Sequence, residues 1–170
     1  MKKNNLFDFD EILQDVTRHF TKVKTNEYKS DGKTPIIDQS KKNISGYTDL
    51  FLKKNNFTPP YIIFGDHTRC LKYSNEEFIL GADGTKVLKS KIDINYRYLF
   101  HYLKSLKIKS SGYSRHFKFL KRYKIFIPEK PKQDLIAKIF DKIELIKNLK
   151  KSKIYNINSI SHNLFYETFG

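Results

Sequence analysis

One short segment places three chemically active side chains next to one another: Asp66, His67 and Arg69. A histidine beside a carboxylate could act as a general base, and an arginine could hold a phosphate, so the segment could serve phosphodiester hydrolysis. However, neighbouring side chains of an extended chain face opposite ways and rarely share one site. No second acidic cluster with metal-ligand spacing accompanies them. We therefore expect no catalytic residue and no metal site here; Asp66 would cap loop amides in a turn.

A second segment, Gly81-Ala82-Asp83-Gly84-Thr85, could be mistaken for a phosphate-binding loop. It lacks the Gly-Lys-Ser/Thr ending of a P-loop and the three-glycine spacing of dinucleotide-binding loops. A turn is the better interpretation, and Gly84 is the natural position for a positive φ angle.

The strongest binding signal is the stretch from residue 104 to residue 132, which we call the basic stretch. It contains ten lysines and arginines and a single acid, Glu129, with aromatic residues between them. The whole chain carries a net charge of +15 and 11 Tyr and 14 Phe, which favours an anionic partner and nucleic acid first. The alternatives are a solvated basic face and a lysine-rich composition that only reflects an AT-rich genome.

Cysteine and apolar content bear on the compartment. Cys70 is the single cysteine, so an internal disulfide and a cysteine-based metal site are both excluded. The first residues lead into Asp8, Asp10 and Glu11 rather than into the apolar segment of a signal peptide. No apolar run approaches the roughly 18 residues of a membrane span. These features predict a cytoplasmic protein without a membrane partner.

The elements that must position these residues form two predicted parts. Residues 1–128 mix short strands with few helices, and residues 129–170 read as one long helix. The predicted fold class is therefore mixed α/β (α+β), followed by a C-terminal helix of the coiled-coil type. The predicted strands are 34–38, 61–64, 71–73, 78–80 and 85–88, with helices at 9–16 and 94–106 and turns at 46–49 and 81–84.

The predicted C-terminal helix has Pro131 at its first position, which suits proline. Ile136, Ile139, Ile143 and Ile146 recur at spacings of three, four and three, which is heptad spacing and puts them on one side of the helix. Lys150, Lys151 and Lys153 interrupt this pattern, and it resumes further on. We call the whole set the apolar seam: Ile136, Ile139, Ile143, Ile146, Ile154, Ile157 and Leu164. A helix of about 35 residues is roughly 50 Å long, so part of the seam needs a partner helix. The alternative is two shorter helices, broken at residues 150–153 and folded back on the core.

Four blocks of sequence, in the same order along the chain, resemble the target recognition domains of type I restriction-modification specificity subunits. The blocks are Thr34–Ser40 continued by Ile44–Asp49, Ile63–Arg69 with Lys72-Tyr73 and Gly81–Gly84, Gly112–Leu120, and Ile125–Pro128 with Gln133, Ile136, Ala137, Ile139 and Phe140. They span about residues 13 to 165. The usual chain of this family has two recognition domains and two long helices, whereas this chain has one of each. It could be a half-length subunit, a gene fragment or a piece of a longer chain.

The resemblance implies a subunit that recognises double-stranded DNA and performs no catalysis. Methylation subunits, and restriction subunits through them, would be its partners and would bind S-adenosylmethionine, so the chain itself needs no cofactor. A motif of the type Asn-Pro-Pro-Tyr or Asp-Pro-Pro-Tyr, which amino-methyltransferases carry, is absent. The seam would pair with a second copy, or with another half-subunit, and a two-fold dimer would read a split palindromic site.

Side-chain type and position give the expected DNA-binding residues. Arg115 and Gln39 are the best candidates for reading bases, because both can form two hydrogen bonds with a base edge. Lysines would bind phosphates without regard to sequence. The full expected set is Lys22, Lys24, Gln39, Lys41, Lys42, Tyr47, His67, Arg69, Lys72, Tyr113, Arg115, His116 and Lys118. Two other function classes stay open: a small metal-dependent nuclease that uses His67 or His116, and a decoy that occupies methylation subunits through its helix.

Overall fold

The computed structural model describes residues 5–52, 56–81, 83–109, 112 and 114–169. Its strands are β1 (Leu6–Phe7), β2 (Leu13–Asp15), β3 (Lys22–Val23), β4 (Thr34–Ile37), β5 (Gly46–Thr48), β6 (Tyr61–Gly65), β7 (Leu71–Ser74), β8 (Ile79–Gly81), β9 (Thr85–Ser90) and β10 (Ile125–Phe126). Its α-helices are α1 (Phe9–Ile12), α2 (Tyr96–Ser105), α3 (Phe117–Leu120) and α4 (Lys130–Phe169). This confirms the predicted mixed α/β domain with one long C-terminal helix.

Two four-stranded sheets form the centre of the domain. The first is antiparallel and has the order β2-β9-β6-β7, and the second is mixed and has the order β3-β8-β4-β5. A small pair, β1 with β10, joins the start of the chain to the segment before α4. Strand β6 is buried throughout, as expected for an apolar strand that is covered on both faces.

Among the described residues, two layers of the hydrophobic core lie on the two faces of the first sheet, and a smaller cluster of Val23, Ile36 and Ile79 belongs to the second sheet. Ile62 and Phe64 of β6 contribute to the layer beneath α2, which also contains Leu99 and Leu103. Tyr61 and Ile63 point the other way, into the layer between the two sheets. This alternation is the two-residue period of a strand, and each such side chain contributes about 1.5–3 kcal/mol by burial.

Helix α2 begins at an asparagine cap that also holds α4. The Asn95 side chain accepts hydrogen bonds from the backbone N–H groups of Arg97 and Tyr98, which satisfies two donors of the first turn. Its Nδ2 donates to Asp134 at 2.7 Å, and its backbone N–H donates to Gln133 Oε1 at 2.9 Å. The start of α4 is therefore fixed by the same residue that starts α2.

Polar contacts hold the next turns of α4 against α2. Asp141 accepts hydrogen bonds from Arg97 Nε at 2.9 Å and lies 2.7 Å from Nε2 of the buried His101. One turn further on, Glu144 accepts a bond of 2.7 Å from Lys104 Nζ. From Leu145 to residue 161 every side chain of α4 is exposed, so the domain holds only the first four turns of the helix.

Two sequence predictions were wrong, and both errors concern strand pairing. The segment from Phe9 to Val16 is helical only to Ile12, because Leu13 to Asp15 pair with β9. Gly46 to Asp49 were expected to form a turn, but Gly46 to Thr48 form β5 and pair with β4. Long-range pairing overrode the local signals in both segments.

The alternative of two shorter C-terminal helices is also wrong. Helix α4 is continuous through Lys150 and Lys153, since lysine is a good helix former. Pro131 was predicted at the first helical position and is the second residue of α4, which begins at Lys130. In the described part of the chain, no helix has both the length and the apolar character that a membrane crossing needs.

We predict that Asp141→Ala destabilises the protein by about 1–2 kcal/mol, because it leaves the buried His101 and the cation of Arg97 without their shared acceptor. The matched control is Asp93→Ala, which removes a carboxylate that is 90% exposed and paired with Lys130; its effect should stay below about 0.5 kcal/mol. Urea unfolding of both variants measures the difference. Equal losses would contradict the role assigned to Asp141.

The same contact predicts a pH dependence. Burial raises the pKa of Asp141, but hydrogen bonds from Arg97 and His101 outweigh it and hold the pKa below its ordinary value of 3.8. The stabilisation is therefore fully present above pH 3.8 and is lost as the pH falls through the lower pKa of the folded state. The stability gap between wild type and Asp141→Ala should narrow below that pH in unfolding measurements.

Candidate nucleic-acid interface

Four segments meet at one end of the two sheets, and we call them the loop cluster: residues 38–43 after β4, 65–70 between β6 and β7, 83–84 between β8 and β9, and 116–117 at the start of α3. The cluster contains six of the thirteen predicted DNA-binding residues: Gln39, Lys41, Lys42, His67, Arg69 and His116. Its geometry follows from two residues, Asp66 and Gln39.

Asp66 joins three of these segments. Its backbone N–H donates to Gly84 O at 2.6 Å, and its backbone oxygen accepts from the His116 N–H at 2.8 Å and contacts His116 Nδ1 at 3.0 Å. Its carboxylate accepts from the Phe117 N–H at 2.7 Å and so caps the start of α3. Asp66 is only 4% exposed. The predicted capping role is therefore confirmed, and the position of the carboxylate is that of a structural group.

Gln39 links the same turns from the side of β4. Its Nε2 donates to Asp83 O at 3.1 Å, and its Oε1 accepts from the His67 N–H at 3.2 Å. Its backbone oxygen accepts from the hydroxyl of Thr68 at 2.5 Å. The amide keeps one N–H and one lone pair for another partner. Gln39 therefore holds the 65–70 and 83–84 segments in place, and its remaining N–H and lone pair could still bind a base.

Two glycines allow this close approach. A Cβ atom on Gly65 would lie 2.2 Å from the Thr68 hydroxyl oxygen. Gly84 has a φ angle of +87°, as its place in the turn predicted, and a Cβ there would lie 2.9 Å from both Gln39 Nε2 and His67 Cδ2. A larger residue at either position would push the turns apart.

Two predicted DNA contacts do not fit the structure. His116 is 1% exposed and Lys72 is 6% exposed, so neither side chain can reach a ligand in this conformation. His116 instead holds the 65–70 turn through Asp66. The Lys72 ammonium lies 3.7 Å from Asp38, and burial, partly offset by that carboxylate, lowers the pKa of Lys72. Both residues are better described as internal supports of the loop cluster.

The remaining predicted residues lie at the surface or near it. Lys22, Lys24, Lys41, Lys42, Arg69, Arg115 and Lys118 are exposed, and Gln39, Tyr47 and His67 are half-buried. Lys22 lies 3.7 Å from Asp83, which brings β3 to the edge of the cluster. Tyr47 lies on β5, paired with Pro35. Tyr113 lies outside the described residues.

Arg69 adopts an unusual backbone conformation, with a φ angle of +61°. This left-handed region costs an L-residue with a side chain about 1–2 kcal/mol. The conformation closes the turn into β7 through a hydrogen bond from the Arg69 N–H to Gly65 O at 2.7 Å. The guanidinium Nη1 donates to Ile108 O at 3.0 Å and so links the turn to the segment after α2.

Ion pairs divide the basic stretch into two groups. Four of its lysines lie within 4 Å of a carboxylate: Lys104, Lys121, Lys124 and Lys130 pair with Glu144, Asp10, Asp8 and Asp93. The other six cations have no such partner among the residues that the structure describes: Lys107, Lys109, Arg115, Lys118, Arg122 and Lys132. The second group carries the uncompensated charge, which sequence alone could not separate from the first.

The apolar seam is largely unburied in the single chain. Ile136 packs against the core beneath α2, whereas Ile139, Ile143, Ile146, Ile154 and Ile157 are 39–59% exposed. The side chain of Leu164 lies outside the described residues. An exposed apolar stripe this long on one helix is typical of a surface that another helix covers.

The described residues contain no group of three or more His, Cys, Asp or Glu side chains arranged to hold a metal ion. His67 follows Asp66 in the chain, His116 contacts the Asp66 backbone oxygen, and the Asp66 carboxylate is engaged with the Phe117 N–H.

Comparison with known proteins gives a family match over most of the chain. The family model described as "Type I restriction modification DNA specificity domain" matches residues 3–159. A search of the curated proteins finds no match.

Among solved structures, the type I restriction-modification S subunit from M. genitalium superposes with a TM-score of 0.62 at 19% identity. The HsdS subunit from Thermoanaerobacter tengcongensis gives 0.54 at 14%, and a structure described as showing complex assembly and conformational transition of the type I R-M system gives 0.61 at 14%. These likenesses concern the fold. They cover 98%, 89% and 89% of this chain, which spans 48%, 41% and 41% of those chains.

The backbone of Arg69 gives a test of strain in the loop cluster. Arg69→Gly and Arg69→Ala both remove the guanidinium, but only glycine relieves the left-handed conformation. We expect the glycine variant to be more stable than the alanine variant by about 1 kcal/mol, measured by urea unfolding. If the alanine variant is equally stable, the turn is not strained at this residue.

Proposed function

The chain belongs to the family of type I restriction modification DNA specificity domains, and on that basis we propose that it recognises a specific sequence of double-stranded DNA for a restriction-modification complex. One observation carries the proposal: the family match covers the domain that holds the loop cluster and the uncompensated cations of the basic stretch. Catalysis, S-adenosylmethionine and the cleavage machinery belong to partner subunits in this proposal.

In the proposed mechanism, exposed lysines set the register of the domain on the duplex. Lys41 and Lys42 extend from the loop cluster, and Lys118 lies on α3 beside it. Their contacts with phosphates are independent of sequence and fix the distance of the domain from the grooves. Because Lys118 has no carboxylate within 4 Å among the described residues, its full charge is available to the DNA.

Base recognition is assigned to the side chains that can approach a groove edge. Arg115 is exposed and directly precedes His116 and Phe117, whose backbone N–H groups both donate to Asp66. These bonds fix the backbone next to Arg115, while its side chain is exposed and can approach a groove. A guanidinium bonds guanine with two hydrogen bonds. His67 and the remaining N–H and lone pair of Gln39 lie on the neighbouring turn. Asp66, His116 and Lys72 act as positioning residues beneath them.

Helix α4 is proposed as the spacer and pairing arm. It has 40 residues and is therefore about 60 Å long, while the domain supports only its first four turns. The exposed seam would pair with the helix of a second copy or of another half-subunit, which would place two recognition domains on a split DNA site. The same arm would contribute to the docking of methylation subunits in the cytoplasm, and restriction subunits would join through them.

The exposed seam also fits the decoy function considered above, since a helix that binds methylation subunits does not require DNA specificity. The uncompensated cations near the loop cluster favour DNA recognition, because a decoy has no need for them. DNA affinity and its dependence on single cations separate these two functions.

We predict that the purified chain binds duplex DNA with an affinity that falls steeply with salt. If about six phosphates are neutralised, the log–log slope is near −5. Lys118→Gln should reduce the magnitude of the slope by about 0.9, because it removes one uncompensated cation. The matched control is Lys130→Gln, whose cation already pairs with Asp93 at 2.9 Å. Fluorescence anisotropy titrations at several salt concentrations measure the slope; equal effects of the two substitutions would contradict the proposed interface.

We predict that the chain dimerises through the seam. A double variant, Ile146→Asp with Ile157→Asp, should be monomeric in sedimentation equilibrium, since two charges at apolar seam positions oppose helix pairing. Ser152→Asp is the matched control: it adds a charge on the opposite side of α4 and should leave the dimer intact. Circular dichroism should show α4 still helical in all variants. If wild type and double variant have the same mass, the seam does not pair copies of this chain.

A further inference from the structure

A cavity of about 460 Å³ lies between the loop cluster and the C-terminal end of α2. We call it the basic cavity. Its lining comes from three segments: Ser40, Lys41 and Asn43 after β4, residues 68–72 from the turn after β6 and the start of β7, and Leu103, Lys104, Leu106, Lys107 and Ile108 at and just after the end of α2. Its volume is within the range of about 300–1,000 Å³ that small-molecule sites occupy.

The lining of the basic cavity carries positive charge from all three segments. Lys41, Arg69, Lys72, Lys104 and Lys107 line it, and no Asp or Glu is among the lining residues. The ammonium groups of Lys72 and Lys104 face Asp38 and Glu144. Within the described part of the chain, Lys41, Arg69 and Lys107 have no carboxylate within 4 Å. Three uncompensated cations around a concave surface concentrate anions more strongly than the same charges on a convex face.

Arg69 is anchored within the lining of this cavity. Its backbone has the left-handed φ of +61°, and its Nη1 donates at 3.0 Å to the backbone oxygen of Ile108, another lining residue. Four of its five N–H donors remain for a ligand. An anchored guanidinium loses little freedom when it binds an anion.

The basic cavity also has an apolar side. Leu103, Leu106 and Ile108 line it together with the polar residues Ser40 and Asn43. Inorganic anions gain nothing from an apolar wall, whereas a ligand with both a phosphate and an uncharged ring or sugar can use both sides. This combination selects a nucleotide unit over a simple anion.

We propose that the basic cavity binds the phosphate of a nucleotide unit, with Lys41, Arg69 and Lys107 as its ligands and the apolar side against the sugar or base. The nucleotide can come from two sources: the backbone of bound DNA or a free nucleoside monophosphate. In the first case the inference rests on the proposed DNA recognition, and in the second it stands apart from it.

Cys70 gives a direct readout, because it lines the basic cavity and is the only cysteine of the chain. The experiment follows the rate at which N-ethylmaleimide, an uncharged reagent, modifies Cys70 in the full chain. Probes are inorganic phosphate, thymidine 5′-monophosphate, thymidine and a 20-base-pair duplex. Phosphate-bearing nucleotide should slow the reaction in a saturable manner, and thymidine should leave it unchanged.

Variants connect the protection to the proposed ligands. Lys107→Gln should raise the half-saturating concentration roughly tenfold, the size expected when one charge-assisted hydrogen bond is lost. Lys138→Gln, which removes an exposed lysine of α4 away from the cavity, is the matched control and should have no effect. For each variant, protection is the ratio of the Cys70 modification rate with the probe to the rate without it. A change in the intrinsic reactivity of the thiol therefore does not affect the comparison between variants.

The outcomes separate the two sources and the two proposals. Protection by the monophosphate identifies a site for free nucleotide, and protection by the duplex alone identifies a backbone phosphate. Duplex that binds in anisotropy without protecting Cys70 overturns the cavity proposal and leaves DNA recognition standing. Protection by the monophosphate without any duplex binding supports the cavity proposal and overturns DNA recognition. The cavity proposal is also overturned if thymidine protects Cys70 equally, or if protection is unchanged in Lys107→Gln.

Discussion

The arrangement of the loop cluster depends on one buried acidic residue. Asp66 uses its backbone N–H, its backbone oxygen and its carboxylate to join the β8–β9 turn, His116 and the first amide of α3. A buried carboxylate is costly unless hydrogen bonds satisfy it, so this residue enforces one relative position of segments that are 18 to 51 residues apart in sequence. Exposed neighbours such as Lys41 and Arg115 can then vary without changing the scaffold that carries them.

Charge compensation divides the surface into parts with different functions. Cations that pair with carboxylates, such as Lys104 and Lys130, hold α2, α4 and the loops together. Among the described residues, cations without such partners include Arg69, Lys107 and Lys118 near the loop cluster, the basic cavity and α3, and also lysines of α4 such as Lys138. In the proposed mechanism the cations near the loop cluster attract the DNA, while the apolar seam of α4 pairs with another helix. Binding and assembly are thus assigned to separate surfaces of one small chain.

The sequence predicted the elements whose signals are local. Strands β4, β6, β7 and β9 and helices α2 and α4 follow from apolar periodicity and from proline and glycine positions. Strand β5 was missed because Gly46 and Asp49 are typical turn residues, and the change from helix to strand at Leu13 depends on pairing with a strand 75 residues later. For the same reason the burial of His116 and Lys72 could not be predicted: side-chain type suggests a contact, but only the packed segments decide which groups reach the surface.

Sequence-specific recognition of DNA can be measured by selection from a randomised duplex library. The purified chain, with its methylation subunit present, is incubated with the library, and the bound pool is sequenced. We expect enrichment of a split palindromic motif, read by two recognition domains that α4 holds apart; a single unsplit half-site would keep recognition and reject the paired helices. A pool without any enriched sequence, at every salt concentration, would contradict recognition of a specific sequence.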